Sequence, residues 1–538
     1  MALGLDFGTE SVRAILMEEG GATIASAVER YGHGQITDVL PGGSEALPAN
    51  FALQHPMDWL ESAGRAVRGA LKAAGSDGAG VAGVGVDFTS CTMLPALQDG
   101  TPMMMRPEFA RRAQAWPKLW KHHGAQRQAD EINALARQRG EGWLARYGGA
   151  VGLEWLLPKI VEIHDSDREV FERADVFVEA GDWFVWWMIG GPARALPRST
   201  CQAGYKACWS ERDGYPSSEF FDALRAGMGS ALRARLPGRF VSPGMRAGWL
   251  TPKAAEHLGL EKALGGGNGL PGVAVSAAVI DAHSAVPGVG AAATGDLVLV
   301  LGTSGCHMYN GAREEMVEGV AGIVPDGIIP GQVGYEMGQA AVGDAFAWLG
   351  RITGRDLDDL ARAAEGVEAG AGGVVCLDWL NGCRTPLMDG NLRGSFHGLT
   401  LATRPEEMYR AMLEGLACGC RWIVELLEGK GLEVRRVIAT GGLSTKGEVI
   451  AEVWANVLGK EILVSGAEHA TARGAALYGF AAAEGLAGDA LAGSMSQRGA
   501  GLRTRRVMPK VELRGRYEEV YRRYRALAGY ERAVRRAE

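Results

Sequence analysis

Apolar positions between residues 57 and 74 recur at helical spacing, with Asp58, Glu61, Arg65 and Lys72 on the other face. This pattern predicts an amphipathic helix, ended by the Gly/Ala-rich stretch 75–80. The nearly unbroken apolar run 81–89 then predicts a buried strand finishing in Asp87-Phe88-Thr89. Ahead of the helix, 4–14 reads as strand, tight turn and strand, with Gly8-Thr9 at the turn. Strand, helix and strand in this order predict an α/β domain whose ligands sit at strand ends. Residues 111–147 predict decorating helices, and 265–269 predict a flexible turn before a strand at 272–280. The Gly/Ala-rich segment 285–296 is expected to cross between domains.

The second half repeats this grammar. A strand at 297–301 leads into Gly302-Thr303-Ser304-Gly305. Residues 403–406 predict a capped, proline-started helix running to about 428. A strand at 436–440 ends in Gly441-Gly442, and a helix from about 446 to 458 is stopped by Gly459. The tail after 511 predicts a charged, solvated helix.

Composition narrows the class. A chain of 538 residues exceeds what one hydrophobic core supports, so two or more domains are expected. With 47% hydrophobic residues, a net charge of −7 and no basic stripe, it is a globular chain that does not predict nucleic acid as a partner. No apolar run is long enough for a bilayer and no secretory start is evident, so a cytoplasmic protein with no membrane partner is expected. The eight cysteines form no C-x-x-C pair and read as reduced thiols rather than a metal site. His122-His123 reads as a partly exposed helix end and His283 as a pocket or core residue.

The candidate chemistry lies in the glycine turns. At Gly8-Thr9 the backbone N–H groups and a hydroxyl are placed to surround phosphate oxygens, and Asp6 at the strand end is placed to hold Mg²⁺ through water. An ordinary hairpin is the alternative for one such turn. The recurrence at Gly302-Thr303, and a third strand end at Gly441-Gly442 with Ser444 opening the next helix, favour a nucleotide clamp. Neither a Walker A sequence nor a G-x-G-x-x-G fingerprint is present.

With these turns go the stretches 85–95, 106–110, Lys118-Leu119-Trp120-Lys121-His122-His123, Ala203-Gly204-Tyr205-Lys206-Ala207, Ile280-Asp281-Ala282-His283 and 302–308. Together they make the chain similar to the FGGY carbohydrate kinases of the actin-like ATPase superfamily, from residue 4 to about 485, with 87–95 and 118–123 resembling the ribulose-phosphorylating members. The resemblance implies an α/β protein of two ribonuclease-H-like domains flanking a central cleft. Residues 1–288 would carry the sugar and the first phosphate loop, and 289–538 the ATP. It implies ATP- and Mg²⁺-dependent phosphorylation of ribulose at the 5-hydroxyl, in pentose breakdown. Asp281 matches the catalytic base, and Asp87, Thr89, Lys206, Asp281 and Glu336 fall where the sugar is contacted. Gly8, Thr9, Ser11, Arg13, Gly302, Thr303, Ser304, Gly441, Gly442, Ser444 and Lys446 would meet ATP. The segment 467–475 matches the family's final helix only loosely, which leaves the adenine contacts open.

Bland roles stand beside these. Asp281 could be a helix N-cap, Lys206 a surface lysine lying on Trp209, and Glu336 half of a salt bridge. A xylulose or other polyol kinase, or a non-catalytic actin-like ATP-binding protein, are the alternative functions. A homodimer is one allowed assembly.

Overall fold

The computed structural model describes residues 1–265, 272–443 and 448–537. They form two compact units. The first takes Met1–Ala292, Val324–Gly334 and His469–Gly501; the second takes Ala293–Ile323, Tyr335–Glu468 and Leu502–Glu538. The units therefore do not follow a single division at residue 288. Segment 469–501 returns to the first unit because its helix, Ala470–Glu484, lies against that unit's sheet.

The first unit is built on seven strands: β1 (Ala2–Phe7), β2 (Ser11–Met17), β3 (Thr23–Arg30), β4 (Gly83–Phe88), β5 (Arg246–Trp249), β6 (Ala274–Ser276) and β7 (Val279–Ile280). Their order is β3-β2-β1-β4-β6-β5, with β7 also beside β4. β1 and β2 form an antiparallel hairpin, whereas β1, β6 and β7 all run parallel to β4. Side chains alternate across a strand, so each sheet face has its own composition. On one face Leu3, Leu5, Phe7, Val84, Val86 and Phe88 pack with Trp59, Ala63, Ala66 and Val67 of helix Pro56–Ala73. The other face presents Gly4, Gly83 and Gly85, and it ends in Asp6 and Asp87.

Helix Ala470–Glu484 covers that glycine face. A Cβ at Gly4 would lie 2.1 Å from the Ala472 carbonyl oxygen, one at Gly83 would lie 2.0 Å from that of Gly479, and one at Gly85 would lie 1.8 Å from that of Ala475. Only glycine permits backbone to approach backbone this closely. A second apolar core in the same unit gathers Leu53, Met93, Trp116, Leu157, Ile160 and Phe177.

A second seven-stranded sheet takes β8 (Asp296–Leu301), β9 (Gly305–Gly311), β10 (Gly322–Pro325), β11 (Val333–Gln339), β12 (Arg436–Thr440), β13 (Ile462–Ser465) and β14 (Thr504–Val507), in the order β10-β11-β9-β8-β12-β13-β14. Its centre repeats the first unit: a hairpin, β8–β9, and then two parallel strands, β12 and β13. The proline-started helix is Pro405–Gly429; its cap is Arg404 rather than Thr403, and Glu407 accepts the Arg404 N–H at 2.8 Å. The final helix, Arg514–Ala537, is not simply solvated. It buries Tyr517 and Tyr524, and the Tyr524 hydroxyl donates to Asp378 at 2.7 Å.

Candidate active site

In the first unit, the carboxyl ends of β1, β4 and β7 bring three carboxylates together. Asp6 and Asp87 are register partners on β1 and β4, Val279 of β7 pairs with Asp87, and Asp281 follows β7. Asp6 accepts the Thr471 hydroxyl at 2.6 Å and pairs with Arg13 at 2.9 Å, both on Oδ2. Asp87 is fully buried, and its polar neighbours include Asp6 and Ser284. Neither Asp87 oxygen meets a donor in ordinary hydrogen-bond geometry among the described residues. Burial first, and then the negative charges of Asp6 and Asp281, push its carboxyl well above the usual range. Hard carboxylate oxygens of this kind are the donor type that a magnesium ion takes.

Asp281 is the first residue of helix Asp281–Gly288 rather than its cap; Ile280 holds the cap position. The Asp281 carboxylate accepts the Ala282 N–H at 2.7 Å, which fixes its direction. Thr89 follows β4, donates its N–H to the Phe7 carbonyl at 3.0 Å and shares a 2.8 Å hydroxyl contact with Thr92. Lys206 closes helix Thr200–Lys206, which packs against β7. It is buried rather than on the surface, and its ammonium lies 5.4 Å from the Trp155 ring centroid.

Around Lys206 is a cluster that sequence reasoning missed. Lys159, on helix Leu156–Ser166, is fully buried and donates to the Cys91 carbonyl at 2.7 Å and the Leu119 carbonyl at 2.9 Å. Burial lowers its pKa to about 8. Burial and Asp182 raise that of Glu179 to about 8, against the opposing pull of Lys159 and Lys206. Cys91 has φ 61°, a left-handed conformation uncommon for a residue with a Cβ. His122 also departs from expectation: it is fully buried and hydrogen-bonded to Glu162 at 2.8 Å, with Lys118 3.4 Å from the same carboxylate.

The two glycine turns are both hairpin ends. The Gly8 N–H donates to the Ser11 carbonyl at 2.9 Å, and the Gly302 N–H to the Ser304 carbonyl at 3.1 Å. The first turn is held from outside: Tyr31 donates to the Gly8 carbonyl, Gln54 to the Thr9 carbonyl and the Trp120 indole to the Thr9 hydroxyl.

In the second unit Gly302, Thr303 and Gly442 line one cavity of about 580 Å³. Gly343, Phe346, Leu357 and Tyr409, none of them anticipated, complete much of its wall. The Val342 and Gly343 N–H groups donate to the Thr303 and Gly302 carbonyls, which seats the start of helix Gly343–Thr353 on the turn. Gly441 has φ +95°, and a Cβ there would meet the Leu301 carbonyl oxygen at 2.6 Å. Glu336, on β11, belongs to this second unit and is half-buried. Ser444 and Lys446 lie outside the described residues.

One trio of metal-type side chains also converges among the described residues: His33, His55 and Asp58, with ligand atoms within 4.8 Å of one another. The start of helix Pro56–Ala73 already employs it. His55 Nδ1 accepts the Met57 N–H, and Asp58 accepts the His33 N–H while its other oxygen meets the His33 ring. The two imidazoles stack with centroids 4.5 Å apart, so their in-plane lone pairs do not converge. No helix among the described residues is long and apolar enough to cross a membrane.

Residues 297–483 match the C-terminal domain of the FGGY family of carbohydrate kinases. The ribulokinase of Anoxybacillus flavithermus is 41% identical over 542 residues, covering 98% of this chain and 94% of that protein. The ribulokinase of Shouchella clausii is 41% identical over 547 residues, with the same coverages. Among solved structures, a xylulose kinase from Rhodospirillum rubrum superposes with a TM-score of 0.77 at 22% identity, covering 99% of both chains. At that identity the likeness speaks for the fold.

Proposed function

The chain belongs to the FGGY family of carbohydrate kinases, and from that premise we propose that it transfers the terminal phosphoryl group of ATP to the 5-hydroxyl of ribulose. The observation that carries the substrate is the full-length identity of 41% to ribulokinases, whereas the xylulose-kinase likeness is one of fold. The carboxylates at the ends of β1, β4 and β7 support the chemistry.

Phosphoryl transfer needs positioning, charge neutralisation and a proton acceptor more than covalent help. Asp281 accepts the proton of the attacking hydroxyl, its carboxylate held in direction by the Ala282 N–H. Lys206, Thr89 and Glu336 bind the sugar, and the buried setting of Lys206 strengthens its hydrogen bonds to hydroxyls. Gly302, Thr303 and Gly442 take the phosphates in the second unit, with Phe346 and Tyr409 beside the base. A divalent ion, when bound by Asp6 and Asp87, supplies charge neutralisation on the phosphates. The test is a panel of ribulose enantiomers, xylulose and polyols in an ATP-coupled assay. Turnover is expected on ribulose; turnover on xylulose or glycerol alone would overturn the substrate, and none on any sugar would overturn the enzyme.

A further inference from the structure

We infer that Thr471 is a positioning residue that holds Asp6 in the orientation needed for its metal-side role; the inference rests on the function proposed above. Thr471 is the second residue of helix Ala470–Glu484 and lies 465 positions from Asp6, yet its hydroxyl donates to Asp6 Oδ2 at 2.6 Å. Arg13 occupies the same oxygen at 2.9 Å. Two donors therefore converge on the one oxygen, Oδ2.

Three further features make this contact a built one. The glycines on the covered sheet face let the helix settle until its backbone touches the sheet, which is what brings Thr471 within reach. The helix runs from the Asp6 end toward Gly83, so its N-terminal N–H groups and positive dipole end face the side where Asp6 and Asp87 stand. Thr471 is itself held: its carbonyl accepts the Ser284 hydroxyl at 2.8 Å. Ser284 lies one turn beyond Asp281 on helix Asp281–Gly288, and that helix is pressed onto Ala470–Glu484, with a Cβ at Gly474 falling 1.7 Å from the Ser284 carbonyl oxygen. Thr471 thus ties the helix that carries the proposed base to the proposed metal-side carboxylate.

The test compares Thr471→Val, Thr471→Ala and Thr471→Ser with the wild type. Two readouts are used: Mn²⁺ binding in the presence of ADP, followed by electron paramagnetic resonance, and the split between kcat and the KM for ribulose. Outer-sphere partners of metal ligands are typically worth about 10- to 100-fold. Val and Ala are therefore expected to weaken Mn²⁺ binding by about that factor and to lower kcat, leaving the KM for ribulose unchanged, while Ser restores both. Wild-type Mn²⁺ affinity in both Val and Ala, or failure of Ser to restore it, would overturn the inference. A wild type that binds Mn²⁺ with ADP yet phosphorylates no sugar overturns the proposed function instead, and the binding readout still decides on Thr471.

Discussion

Asp6 and Asp87 stand directly opposite each other on parallel neighbours β1 and β4, and among the described residues only Asp6 of the two has an arginine partner. Arg13 and Thr471 both donate to Asp6 Oδ2, whereas Asp87 has burial and two carboxylate neighbours working against its ionisation. Adjacent strand positions thus differ in their surroundings: one carboxylate is met by two donors, the other by burial and like charge. A divalent cation relieves such a pair, and a site lacking that cation would leave it electrostatically unbalanced.

Replacing Asp281 by Ala is expected to lower kcat by about 10²- to 10⁴-fold, the usual contribution of a positioned general base. ATP binding, followed by calorimetry, should remain close to wild type. Turnover within a few-fold of wild type would remove Asp281 from the role.

Lys206→Met keeps the bulk of the side chain and removes its donors, so the KM for ribulose should rise while that for ATP stays level. Glu336→Gln is expected to move the same constant. Saturation curves with each substrate varied in turn check both, and an unchanged KM for ribulose would argue against contact.

Phe346→Ala removes one ring of a pair whose centroids are 4.7 Å apart in the second unit's cavity. Aromatic stacking on a base is worth about 1–3 kcal/mol, so ATP should bind correspondingly more weakly, with ribulose binding untouched. Equal weakening toward GTP and ATP would show stacking without base selection; no change for either would place the base elsewhere.

Glu179 gives the stability of the first unit a pH dependence of definite sign. Its carboxyl is raised from 4.5 to about 8, so the folded chain holds this proton more tightly than the unfolded one. The stability it contributes is full below pH 4.5 and is lost as pH rises through about 8. Asp182, raised to about 7 by burial, acts in the same direction. Glu179→Gln should therefore gain in Tm relative to wild type as pH rises from about 5 to 8. Melting curves that stay parallel over that window would contradict the shift.

Gly85→Ala places a methyl 1.8 Å from a main-chain oxygen that cannot step aside without moving the helix. Overpacking of this kind destabilises by about 1–3 kcal/mol or more. Gly429→Ala, where nothing lies within 4 Å, is the control and should be neutral or slightly stabilising. Comparable melting temperatures for the two variants would mean that the sheet and helix yield more easily than their contact implies.

Much of this architecture was legible in the chain. The Gly-Thr turns announced both hairpins, and apolar runs announced the central strands, because burial on both faces leaves an almost unbroken apolar signal. Helix Ala470–Glu484 was harder to place. Its Gly/Ala composition carries little amphipathic contrast, and only the facing glycines at 4, 83 and 85 explain where it goes. Local patterning also missed Lys159, Glu179 and His122, since a buried charge looks like a surface charge until its partners are known. The tyrosines of the last helix, read as a solvated tail, belong to the same class of error: their spacing signalled a buried stripe beneath dense charge. Phe346 and Tyr409 meet across 63 residues of sequence, and no spacing rule joins them.

The glycine face of β1 and β4 also has a consequence for biosynthesis. The strands that it belongs to are among the first ninety residues made, while the helix that covers it is made after residue 469. Until then the emerging chain holds a sheet with bare backbone on one side, and closing that gap requires a contact of very high sequence separation. The first unit therefore cannot complete its fold co-translationally in domain order, and its last step waits on the release of nearly the whole chain.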